Sequence, residues 1–109
     1  MSLKLYFDTH KGRGILSTVS KEGVVNGALY ATPHFFEDGT LGFIMTSNRT
    51  YQNTQENPRA HYLFMEEGDG YSGKRLSLTK AREENDPELI ESLRARGEAG
   101  ARSAVVVTR

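Results

Sequence analysis

Cysteine is absent from this 109-residue chain, which excludes disulfides, thiolate metal sites and a cysteine nucleophile. An excess of charge is absent too. Fourteen basic residues balance 14 acidic ones, so nothing steers the protein toward nucleic acid or an anionic membrane. No run of about 18 apolar residues occurs, so no membrane-spanning helix is expected. Met1 to His10 carries Lys4, Asp8 and His10 among its apolar residues, a pattern unlike a secretory signal. Asn48-Arg49-Thr50 spells a glycosylation acceptor, but nothing sends the chain for secretion. What remains is one domain of ordinary size, expected in the cytoplasm without nucleic-acid or membrane partners.

Strand signals dominate what is present. Leu3 to His10 suggests a short amphipathic helix, with Leu5 opposite Lys4 and Asp8, stopped at Gly12 and Gly14. Gly14 to Ser20 reads as a strand, followed by the turn Lys21-Glu22-Gly23 and a long apolar run from Val24 to Phe36. Pro33 cannot donate to a ladder, so it belongs at an edge, a bulge or the strand's exit. Asp38-Gly39 supplies the positive φ of a tight hairpin before Leu41 to Met45. Ala60 to Glu66 and the alternating Lys74 to Arg82 follow as strands. Asp86-Pro87-Glu88 opens a helix with a capping acid and proline at its first position. That helix buries Leu89, Ile90 and Leu93, carries Arg94 and Arg96 near its end, and stops at Gly97 and Gly100. Ser103 to Thr108 is the last strand. Six closely spaced strands favour a compact antiparallel barrel over a parallel α/β sheet, because helices do not alternate with them.

The chemistry concentrates in Thr46-Ser47-Asn48-Arg49-Thr50-Tyr51-Gln52-Asn53, between one strand and the helix-stopping Asn57-Pro58. A strand feeding a hydroxyl-rich turn at a helix N-terminus makes a phosphate pocket: the first N–H groups lack partners and the helix dipole favours an anion. Arg49 adds a guanidinium able to make bidentate contacts. A capped turn without any ligand explains the same residues, since Ser, Thr and Asn commonly satisfy free N–H groups.

The succession GILSTVSKEG, a long second strand, DGTLGFIMT, RTYQN, NPRAHYLF and GKRLSLTKAR resembles the pyridoxamine-phosphate-oxidase-like flavin-binding split barrels, in particular their small stand-alone members. The likeness runs from about Gly14 to Thr108 and rests on order and spacing. It implies a mainly β fold with short helices, a six-stranded antiparallel split barrel. It also implies a homodimer with flavin mononucleotide (FMN) in clefts at its interface. On this resemblance Arg49 and Thr50 grip the cofactor phosphate, with Thr46 and Ser47 nearby. The backbone of Tyr30, Ala31, Thr32 and Pro33 lies along the flavin ring, and Asn53 orients the loop. Lys74, beside Arg75, approaches from the other side, and a small-molecule substrate or electron donor stacks near His34.

Departures from the oxidase proper narrow the activity. Ala28 and Pro33 lie in the region where the oxidase has basic residues on the second strand, and Thr50 replaces the lysine of its Arg-Lys pair. Each lost charged hydrogen bond costs roughly 1.5–3 kcal/mol. The arginine- and histidine-containing C-terminal end that holds pyridoxine phosphate is missing, so true pyridoxamine phosphate oxidase activity is rejected. A small flavin reductase or oxidoreductase is what the resemblance leaves. A flavin-free dimeric binding module, or a relative taking deazaflavin or haem, stays open beside it. The chain stops at Arg109, just past an apolar strand where relatives often continue; a truncated piece and a short natural tail both fit.

Other constellations are weaker. His10, His34 and His61 have no metal-ligand spacing, and Glu66-Glu67-Gly68-Asp69-Gly70 lacks the alternating ligands of a calcium loop. Gly12-Arg13-Gly14 is too short for an RNA-binding tract. Tyr62 and Phe64 could stack on bases, but no basic stripe accompanies them, which makes them core or interface residues. No nucleophile–base pair or carboxylate pair stands out, which suits cofactor chemistry, where the protein supplies binding and orientation.

Overall fold

Inward and outward side chains alternate along most of the strands, and that alternation builds the molecule. The computed structural model describes residues 2–46, 48–93 and 103–109. In chain order the elements are α1 (Leu3–Thr9), β1 (Gly12–Val19), β2 (Val25–Tyr30), β3 (His34–Phe35), β4 (Leu41–Met45), α2 (Arg49–Glu56), β5 (Arg59–Glu66), β6 (Gly73–Glu84), α3 (Pro87–Leu93) and β7 (Ser103–Thr108). Among the described residues the strands form one antiparallel sheet in the order β2-β1-β5-β6-β7-β4-β3.

Among the described residues seven strands are present where the sequence suggested six. The run from Val24 to Phe36 breaks at Ala31-Thr32-Pro33, because proline has no N–H for a ladder. The break positions the whole barrel. At about 4.8 Å per strand, a flat sheet would hold its edges about 29 Å apart. Those edges, β2 and β3, are consecutive in sequence, and the chain from Tyr30 to His34 reaches about 14 Å at most. The sheet therefore rolls into a half-barrel closed by the Ala31–Pro33 crossing. A bulge near Ala81, where Lys80 pairs with Val107 but Arg82 with Val106, adds curvature at the far end of β6.

Inside the roll, Leu16, Tyr62, Phe64, Leu76, Leu78, Leu41, Phe43, Met45, Val105 and Val107 form the core. Helix α1 plugs one end with Tyr6 and Phe7, Leu3 packing beside them. Leu5 is 49% exposed, so the helix buries a different face from the one expected. Outside, Ile90 of α3 covers Ile44 and Ala104. Asp86 accepts from the Glu88 N–H at 3.1 Å, the cap that its sequence suggests. Arg94, Arg96, Gly97 and Gly100 lie outside the described residues. Among the described residues no helix lies over the outer face of β2, β1, β5 and the first half of β6. There Leu29, Ile15, Leu63 and Arg75 form one cross-strand row, with Val25 and Met65 exposed beside it.

Candidate functional site

Helix α2 begins where β4 ends, and its cap is Asn48. The Asn48 Oδ1 accepts the Tyr51 N–H at 3.0 Å, and its Nδ2 donates to Thr46 Oγ1 at 3.1 Å. Thr46 is thus half-buried and engaged with the cap, while Ser47 lies outside the described residues. No acidic residue occupies the first turn, and the N–H groups of Arg49 and Thr50 have no partner within the helix. Arg49 is exposed and forms no ion pair among the described residues. This end of α2 offers an anion two backbone donors, the dipole and a free guanidinium.

The Thr50 hydroxyl turns the other way. Thr50 is only 2% exposed and accepts from Asn26 Nδ2 of β2 at 3.4 Å. Asn53 is equally buried and donates from Nδ2 to Thr18 Oγ1 of β1 at 3.0 Å. These two contacts seat α2 on the end of the barrel where Asn26, Thr18 and Ala60 stand in register. On its other flank the helix is tied to β6. The Tyr51 hydroxyl and Gln55 Nε2 donate to Glu83, each at 2.8 Å, and Lys80 Nζ bridges Glu83 Oε1 and the Thr54 carbonyl. Burial alone raises the Glu83 pKa, but hydrogen bonds from Tyr51, Gln55 and Lys80 outweigh it and hold the carboxyl below its ordinary value.

The Tyr30–Pro33 segment sits at the opposite end. Tyr62, fully buried in β5, donates its hydroxyl toward the Tyr30 and Ala31 carbonyls at 3.3 and 3.1 Å, and burial pushes its pKa up to about 12. Pro33 is buried, Thr32 half-buried and Ala31 exposed. A shallow depression of about 340 Å³ opens here between Gly12, Arg13, Gly14, Leu29, Tyr30 and Ala31. His34 pairs with Gly42 on the other sheet edge.

Lys74 shares a cross-strand row with Phe64, Gly14 and Tyr30, about 14 Å from Tyr30 at three strand spacings. Its ammonium lies 4.8 Å from the centre of the Tyr6 ring. The Tyr6 hydroxyl donates to Glu66, and its pKa is pushed up to about 12 by removal from solvent, then by the Glu66 bond and charge. Within one chain the expected residues thus fall into separate neighbourhoods. Thr46, Arg49, Thr50 and Asn53 gather at α2, while Tyr30, Ala31, Thr32, Pro33 and Lys74 belong to the far end of the roll.

Asn26, Thr18 and the Tyr51–Glu83 pair are the residues that sequence reasoning passed over. Thr18 and Asn26 sit on inward register positions, alternating with outward ones, and a polar residue there needs a buried partner. That parity was the available signal. Among the described residues no cluster of His, Asp or Glu could hold a metal ion, and no helix is long and apolar enough to cross a membrane.

No family model matches the sequence, and no curated protein matches it. Solved structures share the fold. An FMN-binding protein from Syntrophomonas wolfei subsp. wolfei aligns with a TM-score of 0.74 at 16% identity, over 93% of this chain and 75% of that one. HupZ of Group A Streptococcus aligns at 0.68 and 17% identity, over 100% of this chain and 91% of that one. A substituted HupZ aligns at 0.70 and 15%, over 99% and 95%. The chain is thus a mainly β protein that has the half-barrel fold of these FMN-binding and HupZ structures.

Proposed function

We propose that this chain is an FMN-binding protein of the pyridoxamine-phosphate-oxidase-like kind, acting as a homodimeric flavin-dependent oxidoreductase of the cytoplasm rather than as the oxidase itself. The observation that carries the reading is the N-terminus of α2. It presents two backbone N–H groups without a partner in the helix, no first-turn acid and, among the described residues, an Arg49 without an ion pair, in a fold shared with an FMN-binding protein. The residues fit a phosphate: Arg49 and the N–H groups of Arg49 and Thr50 would hold it, with Thr46 nearby; Ser47, the other hydroxyl expected to help, lies outside the described residues. The Thr50 hydroxyl serves the fold instead, since it is bonded to Asn26. The exposed Ala31 at the far end of β2 supports a ring edge there, with Asn53 fixing α2 against β1. Bound flavin supplies the electron or hydride transfer, and the protein holds and orients it.

A second copy is proposed on the uncovered outer face, where Val25, Leu29, Ile15, Leu63 and Met65 leave apolar surface in water. In that arrangement Lys74 reaches the cofactor from the partner. A flavin-free dimeric module is the competing reading, favoured by the inward Thr50 hydroxyl and the distance of Lys74 from α2. An absorption band near roughly 450 nm that survives removal of excess FMN supports the flavin reading. Arg49→Ala should then weaken FMN at least tenfold, the worth of one charged hydrogen bond at about 1.5 kcal/mol. Retained affinity in that variant, or a wild-type protein that cannot keep FMN, refutes it.

A further inference from the structure

We propose that the free edge of β6 takes an extended, acidic segment of another protein as an added strand. The proposal goes beyond the flavin reading and does not depend on it. Hydrogen-bond parity places the edge. The Lys80 N–H donates to the Pro58 carbonyl at 2.7 Å, and the Ser72 carbonyl accepts from the Glu66 N–H at 3.0 Å. Pairing with β5 runs unbroken between these two bonds, so even-numbered positions turn their backbone groups toward β5. Gly73, Arg75 and Ser77 therefore turn theirs away from it. On that side the ladder to β7 begins only at Thr79, which pairs with Thr108. Among the described residues nothing pairs with the edge from Gly73 to Ser77, and all three of these residues are exposed. The stretch is about 13 Å long, room for a strand of about five residues in line with β7.

Charge selects the occupant. Arg75 and Ser77 share the outer face of the strand, while Leu76 and Leu78 are buried in the core. A groove of about 400 Å³ follows this edge, lined by Arg75, Leu76, Ser77 and Arg109. Both arginines are exposed and form no ion pair among the described residues, and no acidic residue lines the groove. An incoming strand sets one side chain directly beside Arg75, where a carboxylate gains a charge-assisted bond and a cation is repelled. Main-chain bonds to Gly73, Arg75 and Ser77 supply affinity, and the arginines supply the preference for acids. A second copy is the poorer occupant, because pairing this edge with itself brings the arginines of both copies together. Strand edges are commonly guarded by charge. Here the guard has one sign, so it turns away basic strands and this chain's own edge but admits an acidic one.

The test titrates the whole protein with three fluorescein-labelled hexapeptides, read by fluorescence anisotropy. One alternates Glu and Val, one alternates Lys and Val, and the third is the Glu–Val peptide methylated at its backbone nitrogens, which keeps the charge but cannot donate. Saturable binding of the first is expected, with the other two at least about tenfold weaker, as the loss of one charged or several main-chain hydrogen bonds requires. Ser77→Pro removes a donor that faces the free edge and costs no bond to β5, so the sheet tolerates it there. It should weaken the Glu–Val peptide at least about tenfold, while Ser77→Ala leaves it unchanged because the backbone makes the contact. Arg75→Glu, at an exposed position, keeps the test open should the proline variant fail to fold, and should reverse the preference in favour of the Lys–Val peptide. No binding of the Glu–Val peptide overturns the proposal. So does equal binding of the acidic and basic peptides, binding that survives methylation, or a folded Ser77→Pro variant that binds as the wild type does. Edge-dependent binding in a protein that does not retain FMN supports this site and sinks only the flavin reading.

Discussion

Asn53→Ala removes the amide that seats α2 on β1. In the native protein Asn53 and Thr18 are 2% and 3% exposed, and their hydrogen bond spans 3.0 Å. Among the described residues no buried side-chain nitrogen or oxygen lacks a partner, so the pair has no spare bonding to fall back on. Truncation loses the bond and strands the Thr18 hydroxyl away from water, a cost of about 2–3 kcal/mol. Near 4 °C per kcal/mol for a domain of this size, the unfolding midpoint should fall by about 8–12 °C. Thr18→Val should cost less, about 1–2 kcal/mol, because the side chain keeps its volume and strands only one amide hydrogen. Combining them removes both ends of the bond, so the double variant should be more stable than the sum by about 1 kcal/mol or more. Urea unfolding followed by circular dichroism gives all four corners of the cycle. Additivity within about 0.5 kcal/mol would refute the claim that this bond, rather than general packing, holds the helix. FMN affinity in Asn53→Ala extends the test: on the proposed reading it drops with Arg49 untouched, because Asn53 seats the helix that carries Arg49.

Acid should loosen the same helix from its other side. The Glu83 carboxyl sits below its ordinary value, so its stabilising contribution is complete above 4.5 and disappears as pH falls through the folded value. Glu83→Gln should lower the midpoint at neutral pH and flatten its decline below pH 4.5, and parallel thermal melts of the two proteins across that range would contradict this if they keep a constant offset. At the other end of the barrel, a Cβ on Gly14 would lie 1.9 Å from the Tyr62 hydroxyl oxygen. Gly14→Ala should therefore cost about 1–3 kcal/mol by overpacking. Tyr62→Phe, which only loses the bonds to the Tyr30 and Ala31 carbonyls, should cost about 1 kcal/mol. Denaturant midpoints that leave Gly14→Ala at the wild-type value would remove the steric argument.

Local signals carried the strands well. Leu41–Met45 and Ser103–Thr108 appear residue for residue, and Gly39 adopts the positive φ of 86° that Asp38-Gly39 demands of the hairpin. The second strand was too long on paper because an apolar run says nothing about whether its hydrogen bonds go to one neighbour or two. Only Pro33 hinted at the break. In α1 the expected face was wrong because seven residues make about two turns, too few for periodicity to choose between Leu5 and the pair Tyr6 and Phe7.

The candidate site was legible where it depended on neighbours in sequence and opaque where it depended on register. A hydroxyl-rich turn before a helix is visible in a string of letters, and so is an arginine beside it. Whether Thr50 points at a ligand or at Asn26 is decided by how the helix lands on strands formed 24 residues away. Lys74 shows the same division. Its position in the chain suggested an approach to the cofactor, but cross-strand pairing puts it in line with Tyr30 and over the ring of Tyr6, at the far end of the roll from Arg49. One acidic group on a ligand can therefore engage Arg49 or Lys74 of a given chain, not both. Among the described residues, the charged partner that a given chain offers a phosphate at α2 is Arg49 rather than Lys74, which is why a single substitution at Arg49 is a decisive test.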